Sequence, residues 1–239
     1  MIEIKNLTVK LAGNTILENI SFRILPNRLL IILGESGAGK TVLIKTLIGL
    51  NQDYSGQILY DNIPIEKYLK KNDGIKTAMV FQNSALMDFM DVFENIALPL
   101  REHTKLSRVE IEKKVESILE KLNIPDLKDK MPNNLSGGMQ KRVAIARAVI
   151  ANPKYIFYDE PTTGLDPINA TEVLNLIKET QKNISSIIVT HDKRIISKLD
   201  ADIIMLKDKK IIFDGNYDNL FKANNEFIIE YLRQMNNER

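Results

Sequence analysis

The run Leu29-Leu30-Ile31-Ile32-Leu33, followed directly by Gly34-Glu35-Ser36-Gly37-Ala38-Gly39-Lys40-Thr41, constrains this chain more than any other stretch. A continuous apolar segment without polar alternation reads as a strand covered on both faces, central in a parallel sheet. Val42, Leu43, Leu47 and Leu50 then recur at helical spacing, so a helix is expected over residues 41–50. Glycines at 34, 37 and 39 take Cβ atoms out of the intervening turn. Strand, glycine loop and helix, in that order, let backbone N–H groups and a helix N-terminus cradle phosphate oxygens. Lys40 is then placed to reach β- and γ-phosphates, and the Thr41 hydroxyl to ligand Mg²⁺. The spaced glycine-lysine pattern arises by chance in roughly one chain in a hundred of this length, so the rest of the sequence has to support it.

Three further features do so. Leu135-Ser136-Gly137-Gly138-Met139-Gln140-Lys141-Arg142 is a Ser-Gly-Gly turn opening a helix with Val143, Ile145, Ala146, Ala148 and Val149. Tyr155-Ile156-Phe157-Tyr158-Asp159-Glu160 is an apolar strand ending in two acids. Asp159 is expected to face the phosphate loop and hold the Mg²⁺ shell, and Glu160 to polarise an attacking water. Gln82 ends the apolar strand Thr77–Phe81, where its amide can sense a γ-phosphate or the attacking water. His191 follows the strand Ile187-Ile188-Val189-Thr190 and is read as a γ-phosphate contact, whereas His103 has no such context.

Length and composition exclude several alternatives. With 239 residues, 44% hydrophobic and 27% charged, the chain is an ordinary globular one, large enough for a domain with a subdomain inserted. A net charge of +2 gives no long-range attraction to nucleic acid, and none is expected as a partner. There is no cysteine, hence no disulfide and no thiolate metal site. Met1-Ile2-Glu3-Ile4-Lys5 lacks the basic-then-apolar pattern of a signal peptide. Leu29–Leu33 is far short of the ~20 residues of a membrane helix. Near-alternating Ile2, Ile4, Leu7, Val9 and Leu11, then Ile16, Ile20, Phe22 and Ile24, predict half-buried antiparallel strands. Residues 56–65 read as a hairpin around Asp61-Asn62, and Ile203–Leu206 with Lys210–Phe213 as another. Ser107–Leu122 is an amphipathic helix within a mostly helical stretch over residues 84–151, which interrupts an α/β core.

Taken together these residues resemble the ATP-binding-cassette (ABC) ATPases across essentially the whole chain, 1–239. Gly34–Thr41 corresponds to the Walker A motif, Gln82 to the Q-loop and Leu135–Gln140 to the family signature. Tyr155–Glu160 corresponds to Walker B, Gly164-Leu165-Asp166 to the D-loop and His191 to the switch histidine. The resemblance implies a P-loop NTPase (RecA-like) α/β core with an antiparallel β subdomain, a helical subdomain over 84–151 and a C-terminal helical tail over 222–239. It implies ATP and Mg²⁺ as cofactors, with Thr41, Gln82 and Asp159 around the metal and Lys40, Gln82, Glu160 and His191 serving hydrolysis. It further implies a head-to-tail pair of chains, each nucleotide lying between Gly34–Thr41 of one copy and Ser136, Gly137 and Gly138 of the other. One departure is plain: Val9-Lys10-Leu11-Ala12-Gly13-Asn14 holds no aromatic where the family usually stacks one on adenine. Losing that stacking weakens binding by ~1 kcal/mol.

Within the family, Phe81–Thr104 looks like the corresponding segment of the ATPases of Mla/Mce-type lipid transporters. That branch implies integral-membrane permease subunits, an MCE-domain lipid-binding protein and a small STAS-domain subunit as partners, with a peripheral location on the cytoplasmic face of the inner membrane. A regulatory ABC ATPase of a cell-envelope or division complex is the alternative. Leu86, Met87, Phe89, Met90 and Phe93 are expected to divide between subdomain core and a surface for a partner's helix. Phe227, Ile228, Tyr231, Leu232 and Met235 form an apolar helical face that either packs on its own chain or docks on the neighbouring ATPase.

Overall fold

The structure is a computed structural model, which describes residues 1–70, 74–181 and 184–236. In chain order the elements are β1 (Ile2–Leu11), β2 (Asn14–Ile24), β3 (Leu29–Leu33), α1 (Lys40–Leu47), β4 (Tyr54–Tyr60), β5 (Ile63–Pro64), α2 (Ile65–Leu69) and β6 (Thr77–Val80). Then come α3 (Val92–His103), α4 (Arg108–Lys121), α5 (Gly137–Val149), β7 (Tyr155–Asp159) and α6 (Pro167–Thr180). The chain ends with β8 (Ser185–Thr190), β9 (Asp202–Lys207), β10 (Lys210–Asn216), α7 (Tyr217–Phe221) and α8 (Glu226–Asn236). They divide into two compact units, Met1–Lys71 with Ser185–Arg239, and Asn72–Ile184.

In the first unit, β3 is buried at every position, as its unbroken apolar run requires. β8 and β9 flank it in parallel, and β10 returns antiparallel to β9. A second sheet, ordered β2-β1-β4-β5, is antiparallel throughout. Its sequence pattern is not strictly period two: Ile4 to Leu7 and Leu17 to Ile20 are odd steps, which would turn one residue of each pair to solvent. Left-handed residues at Asn6 (φ 48°) and Asn19 (φ 49°) absorb the extra residue, and the β1–β2 register shifts there. Ile4, Leu7, Leu17 and Ile20 are all buried as a result. Asp61 and Asn62, both at positive φ, make the tight turn between β4 and β5.

Helix α1 is shorter than its apolar spacing predicts. Gly49 at φ 81° closes it, the Leu50 N–H donates to the Lys45 carbonyl at 2.8 Å, and Leu50 is left 64% exposed. In α8, Ile228, Tyr231 and Leu232 are buried within their own unit, so this part of the apolar face packs on its own chain. The Lys207 ammonium lies 3.5 Å from the Phe227 ring centroid. The Met235 side chain and residues 237–239 fall outside the description.

The second unit contains the parallel pair β6–β7 and the helices α3 to α6. The helical stretch expected over 84–151 corresponds to α3, α4 and α5, while the compact unit also takes in β6, β7 and α6. Val92, Ile96, Leu100, Val115, Leu119 and Val143 are among the residues of the core enclosed by these helices. Helix α4 opens with a capping box, Ser107 accepting from the Glu110 N–H and Glu110 from the Ser107 N–H. Its buried stripe is Ile111, Val115 and Leu119, and Val109, apolar but off that stripe, is 61% exposed.

Gly56 of β4 lies opposite the Asn6 bulge at φ 96°, where an added Cβ would come within 2.4 Å of the Asn6 carbonyl oxygen. Substituting Gly56→Ala is expected to cost at least ~2 kcal/mol, since backbone meets backbone and neither strand can yield without losing register. Chemical denaturation of the full chain measures it, and a loss below ~0.5 kcal/mol would show that the bulge relaxes freely.

Candidate functional site

In the first unit the phosphate-loop residues have the geometry of an anion nest. Glu35, Ser36 and Gly37 are exposed, while Gly34, Gly39 and Lys40 are buried. Gly37 and Gly39 take positive φ of 83° and 92°, a conformation that turns successive N–H groups to one side. Gly39 caps α1 without a side-chain hydrogen bond, and no acidic residue stands in the first turn. Helix α1 therefore presents its N-terminal donors and the positive end of its dipole. A Cβ on Gly39 would lie 2.8 Å from Ile16 Cγ2, so β2 sets how closely the loop packs. Ile16 supplies an aliphatic neighbour to the loop; the β1–β2 turn at Ala12 and Gly13 carries no ring.

Lys40 is only 6% exposed, and its Nζ donates to the Gly34 carbonyl at 2.8 Å and the Glu35 carbonyl at 2.9 Å. The ammonium is thus held at the mouth of the loop. His191 stands exposed just past β8 in the same unit, its carbonyl accepting from the Tyr231 hydroxyl at 3.4 Å. Thr41 is the second residue of α1, directly after Lys40.

In the second unit, Asp159 closes β7 and is 4% exposed; Glu160 follows at 7%. Glu160 has φ 48°, a left-handed conformation that costs a non-glycine residue on the order of 1 kcal/mol. Its carboxylate accepts from the Thr163 hydroxyl at 3.1 Å. Ser136 caps α5 by accepting from the Met139 N–H, and Ser136 and Gly137 are exposed. Gly138 is buried, and a Cβ there would fall 2.5 Å from Asn169 Oδ1, so α5 approaches α6 only through glycine. Asp166 caps α6, accepting from the Ile168 and Asn169 N–H groups at 3.0 Å each. Gln82 sits exposed in the turn after β6.

Three further residues in this unit escape sequence reasoning. Lys141 is buried, and its ammonium donates to the Phe81 carbonyl at 3.0 Å and to the Gln82 carbonyl. Burial lowers its pKa to about 8, against the opposing pull of the Asp159 and Glu160 carboxylates. Arg147 donates to the Ser84 carbonyl at 2.9 Å and the Ala85 carbonyl at 2.8 Å, and burial lowers its pKa too. Asn95, fully buried, accepts from the Met87 N–H and donates to the carbonyls of Met87, Met90 and Asp91. Together Arg147 and Asn95 hold residues 84–91, including left-handed Ser84 and Ala85. Of the apolar run there, Leu86 and Phe93 pack against the helical core, whereas Met87 and Phe89 point outward, Phe89 at 76% exposure. The legible signals were a lysine and an asparagine interrupting otherwise buried helical stripes.

The donors suit a magnesium nucleotide. Thr41, Gln82 and Asp159 offer only oxygen ligands of the hard type Mg²⁺ selects. No group of three or more His, Cys, Asp or Glu residues that could hold a metal occurs among the described residues.

Comparison with known proteins places the whole chain in one family. Residues 17–163 match the ABC transporter family. The intermembrane phospholipid transport system ATP-binding protein MlaF of Haemophilus influenzae is 35% identical over 98% of this chain and 90% of its own length. The methionine import ATP-binding protein MetN of Chlamydia pneumoniae is 32% identical over 92% of this chain and 67% of its own. Among solved structures, the dimeric post-hydrolysis state of the ATP-binding cassette MJ0796, bound to ADP and Pi, superposes with a TM-score of 0.80 at 30% identity. It covers 90% of this chain and 98% of that one. The cbiO1 subunit of Clostridium perfringens, part of an ABC transporter complex, gives a TM-score of 0.81 at 31% identity over 98% and 94%. With these likenesses spanning nearly the whole sequence, the chain belongs to the ABC transporter family, as an ATP-hydrolysing subunit with the P-loop NTPase fold that uses ATP and Mg²⁺.

Proposed function

We propose that this chain powers the movement of lipid, specifically phospholipid, between bacterial membranes. It works as a head-to-tail pair beneath integral-membrane permease subunits, at the cytoplasmic face of the inner membrane. No helix among the described residues is long and apolar enough to cross a membrane, so in this reading the permease holds it there. For the hydrolytic step the carrying observation is the buried acid pair at the end of β7, with Glu160 in a strained left-handed conformation next to Asp159. Strain retained beside a buried carboxylate is characteristic of a residue held for chemistry. Lys40 and the loop N–H groups bind the phosphates, while Thr41, Asp159 and Gln82 hold Mg²⁺, which supplies charge neutralisation at the transferring phosphoryl group. Glu160 orients and polarises the attacking water, and His191 contacts the γ-phosphate.

The lipid cargo is supported by the segment Phe81–Thr104 and by the 35% identity to a phospholipid-transport subunit. A methionine-import relative at 32% identity names the competing cargo. Purifying the tagged chain from its native membrane with its partners, then identifying proteins and lipids by mass spectrometry, separates the two. An MCE-domain protein, a STAS-domain subunit and bound phospholipid are expected. A methionine-binding partner without lipid would overturn the cargo assignment.

Glu160→Gln is expected to bind Mg-ATP normally and to lose turnover by ~10²-fold or more in the full complex. Hydrolysis within a few-fold of wild type would move the water-polarising role elsewhere. The paired site is tested by two other variants. Lys40→Ala removes the main point charge on the phosphates and is expected to abolish nucleotide binding by the isolated chain. Ser136→Arg leaves that binding nearly intact but abolishes cooperative hydrolysis, because its damage falls on the partner's nucleotide. Equal loss of binding in an equilibrium titration of both variants would refute a site shared between two chains.

A further inference from the structure

We propose that Lys141 is a positioning residue for ATP hydrolysis, which from the middle of α5 fixes the backbone that carries Gln82. The proposal rests on the assignment of Gln82 to the γ-phosphate and the attacking water. The ammonium is 3% exposed and donates to two successive carbonyls, Phe81 and Gln82, where the chain leaves β6. A buried cation is costly unless its donors are used, and here at least two of the three are committed to one peptide segment. Further along the same helix, Arg147 takes the next carbonyls but one, Ser84 and Ala85, so α5 grips the loop on both sides of Asn83. Ser84 and Ala85 adopt left-handed backbone without being glycine, a conformation that persists only where surrounding contacts impose it.

The geometry has a mechanical consequence. Ser136, which caps α5, lies five residues before Lys141 on a rigid helix, roughly 7–8 Å along its axis. Displacement of Gln82 is therefore carried to the Ser-Gly-Gly turn through Lys141, and displacement of that turn is carried back to Gln82. The role is not one that core packing alone demands: an apolar side chain of similar length fills the same volume but leaves the Phe81 and Gln82 carbonyls without their donor. What methionine cannot do is hold two carbonyls in fixed directions.

The test is a double-mutant cycle in the full chain with its co-purifying partners, measuring kcat and KM for Mg-ATP. Lys141→Met is expected to lower kcat about tenfold while KM for ATP stays within about twofold. Lys141→Arg, which keeps the charge and the donors, is expected to recover at least a third of wild-type kcat. In a Gln82→Ala background, itself at least tenfold slower, Lys141→Met is expected to add no more than about twofold. Hydrogen exchange provides a second readout, with faster exchange in Lys141→Met confined to residues 81–86. Wild-type kcat in Lys141→Met, or the same tenfold loss in the Gln82→Ala background, overturns the positioning role. If Gln82→Ala alone leaves kcat unchanged, it is the assignment of Gln82 that fails. A global rise in exchange, with Lys141→Arg no better than Lys141→Met, makes Lys141 a folding residue and also overturns the proposal.

Discussion

The Lys40 ammonium, buried at the positive end of a helix, is the constraint on which the first unit depends. A cation at a helix N-terminus stands at the unfavourable end of the dipole, and removing it from water adds a desolvation cost. The chain offsets this with two carbonyls of its own loop, Gly34 and Glu35. Those carbonyls point back at Nζ only because the loop turns through left-handed Gly37 and Gly39. Such a loop must start from a fixed support, which is why β3 is buried along its whole length between β8 and β9. It must also be backed from the side, which Ile16 and Leu17 of β2 do where Gly39 lacks a Cβ. A polyphosphate would satisfy both the cation and the N–H donors, so the arrangement is suited to accept one.

Much of this fold was legible in the sequence because its signals are local. An apolar run of five ending in glycine, a Ser-x-x-Glu box at 107–110 and an Asp-Asn turn each fix backbone within a few residues. Where the reading fell short, the deciding contact was also local but carried by an unexpected residue type. Alternation along β1 and β2 is corrected by asparagines at 6 and 19, which enter the left-handed region more readily than most residues. Leu50 fits a helical stripe by spacing alone, yet Gly49 ends the helix before it. Likewise Val109 has the composition of the α4 face but lies off it by about a third of a turn from Ile111's stripe.

The site divides along the same line. Gly34–Thr41, Ser136–Gly138 and Asp159-Glu160 are contiguous, so residue type and spacing announce them. Lys141, Arg147 and Asn95 work through partners that sequence proximity does not reveal. Lys141 reaches a carbonyl 60 residues earlier and Arg147 one 63 residues earlier. Asn95 bonds four to eight residues back and also accepts from Arg147 at 3.5 Å, but a buried asparagine in an apolar stripe does not say which groups it serves. The apolar run 86–93 could not be partitioned from composition. It separates once Asn95 and Arg147 fix the loop, which turns Leu86 and Phe93 inward and leaves Met87 and Phe89 outside.

Helix α5 shows how one element can serve several chemical requirements at once. Its first turn is uncovered: Ser136 and Gly137 are exposed, and the cap is made by the serine itself. Its approach to α6 has to be close, so residue 138 is glycine against Asn169, on a helix whose own cap, Asp166, belongs to the D-loop sequence. Val143, Ala144, Ile145 and Ala146 bury the remaining surface and fix the helix in its core. Only then do two long cations, Lys141 and Arg147, have rigid enough bases to control a loop of irregular backbone. Long side chains are poor rulers when their own anchor moves, since each carries about 2 kcal/mol of rotamer entropy. Lys141 is buried and Arg147 partly so, and their bonds to the backbone of residues 81–85 restrict that freedom. Helix α5 thus carries, on one element, both the exposed Ser-Gly-Gly turn and the two cations whose donors reach the backbone of residues 81–85.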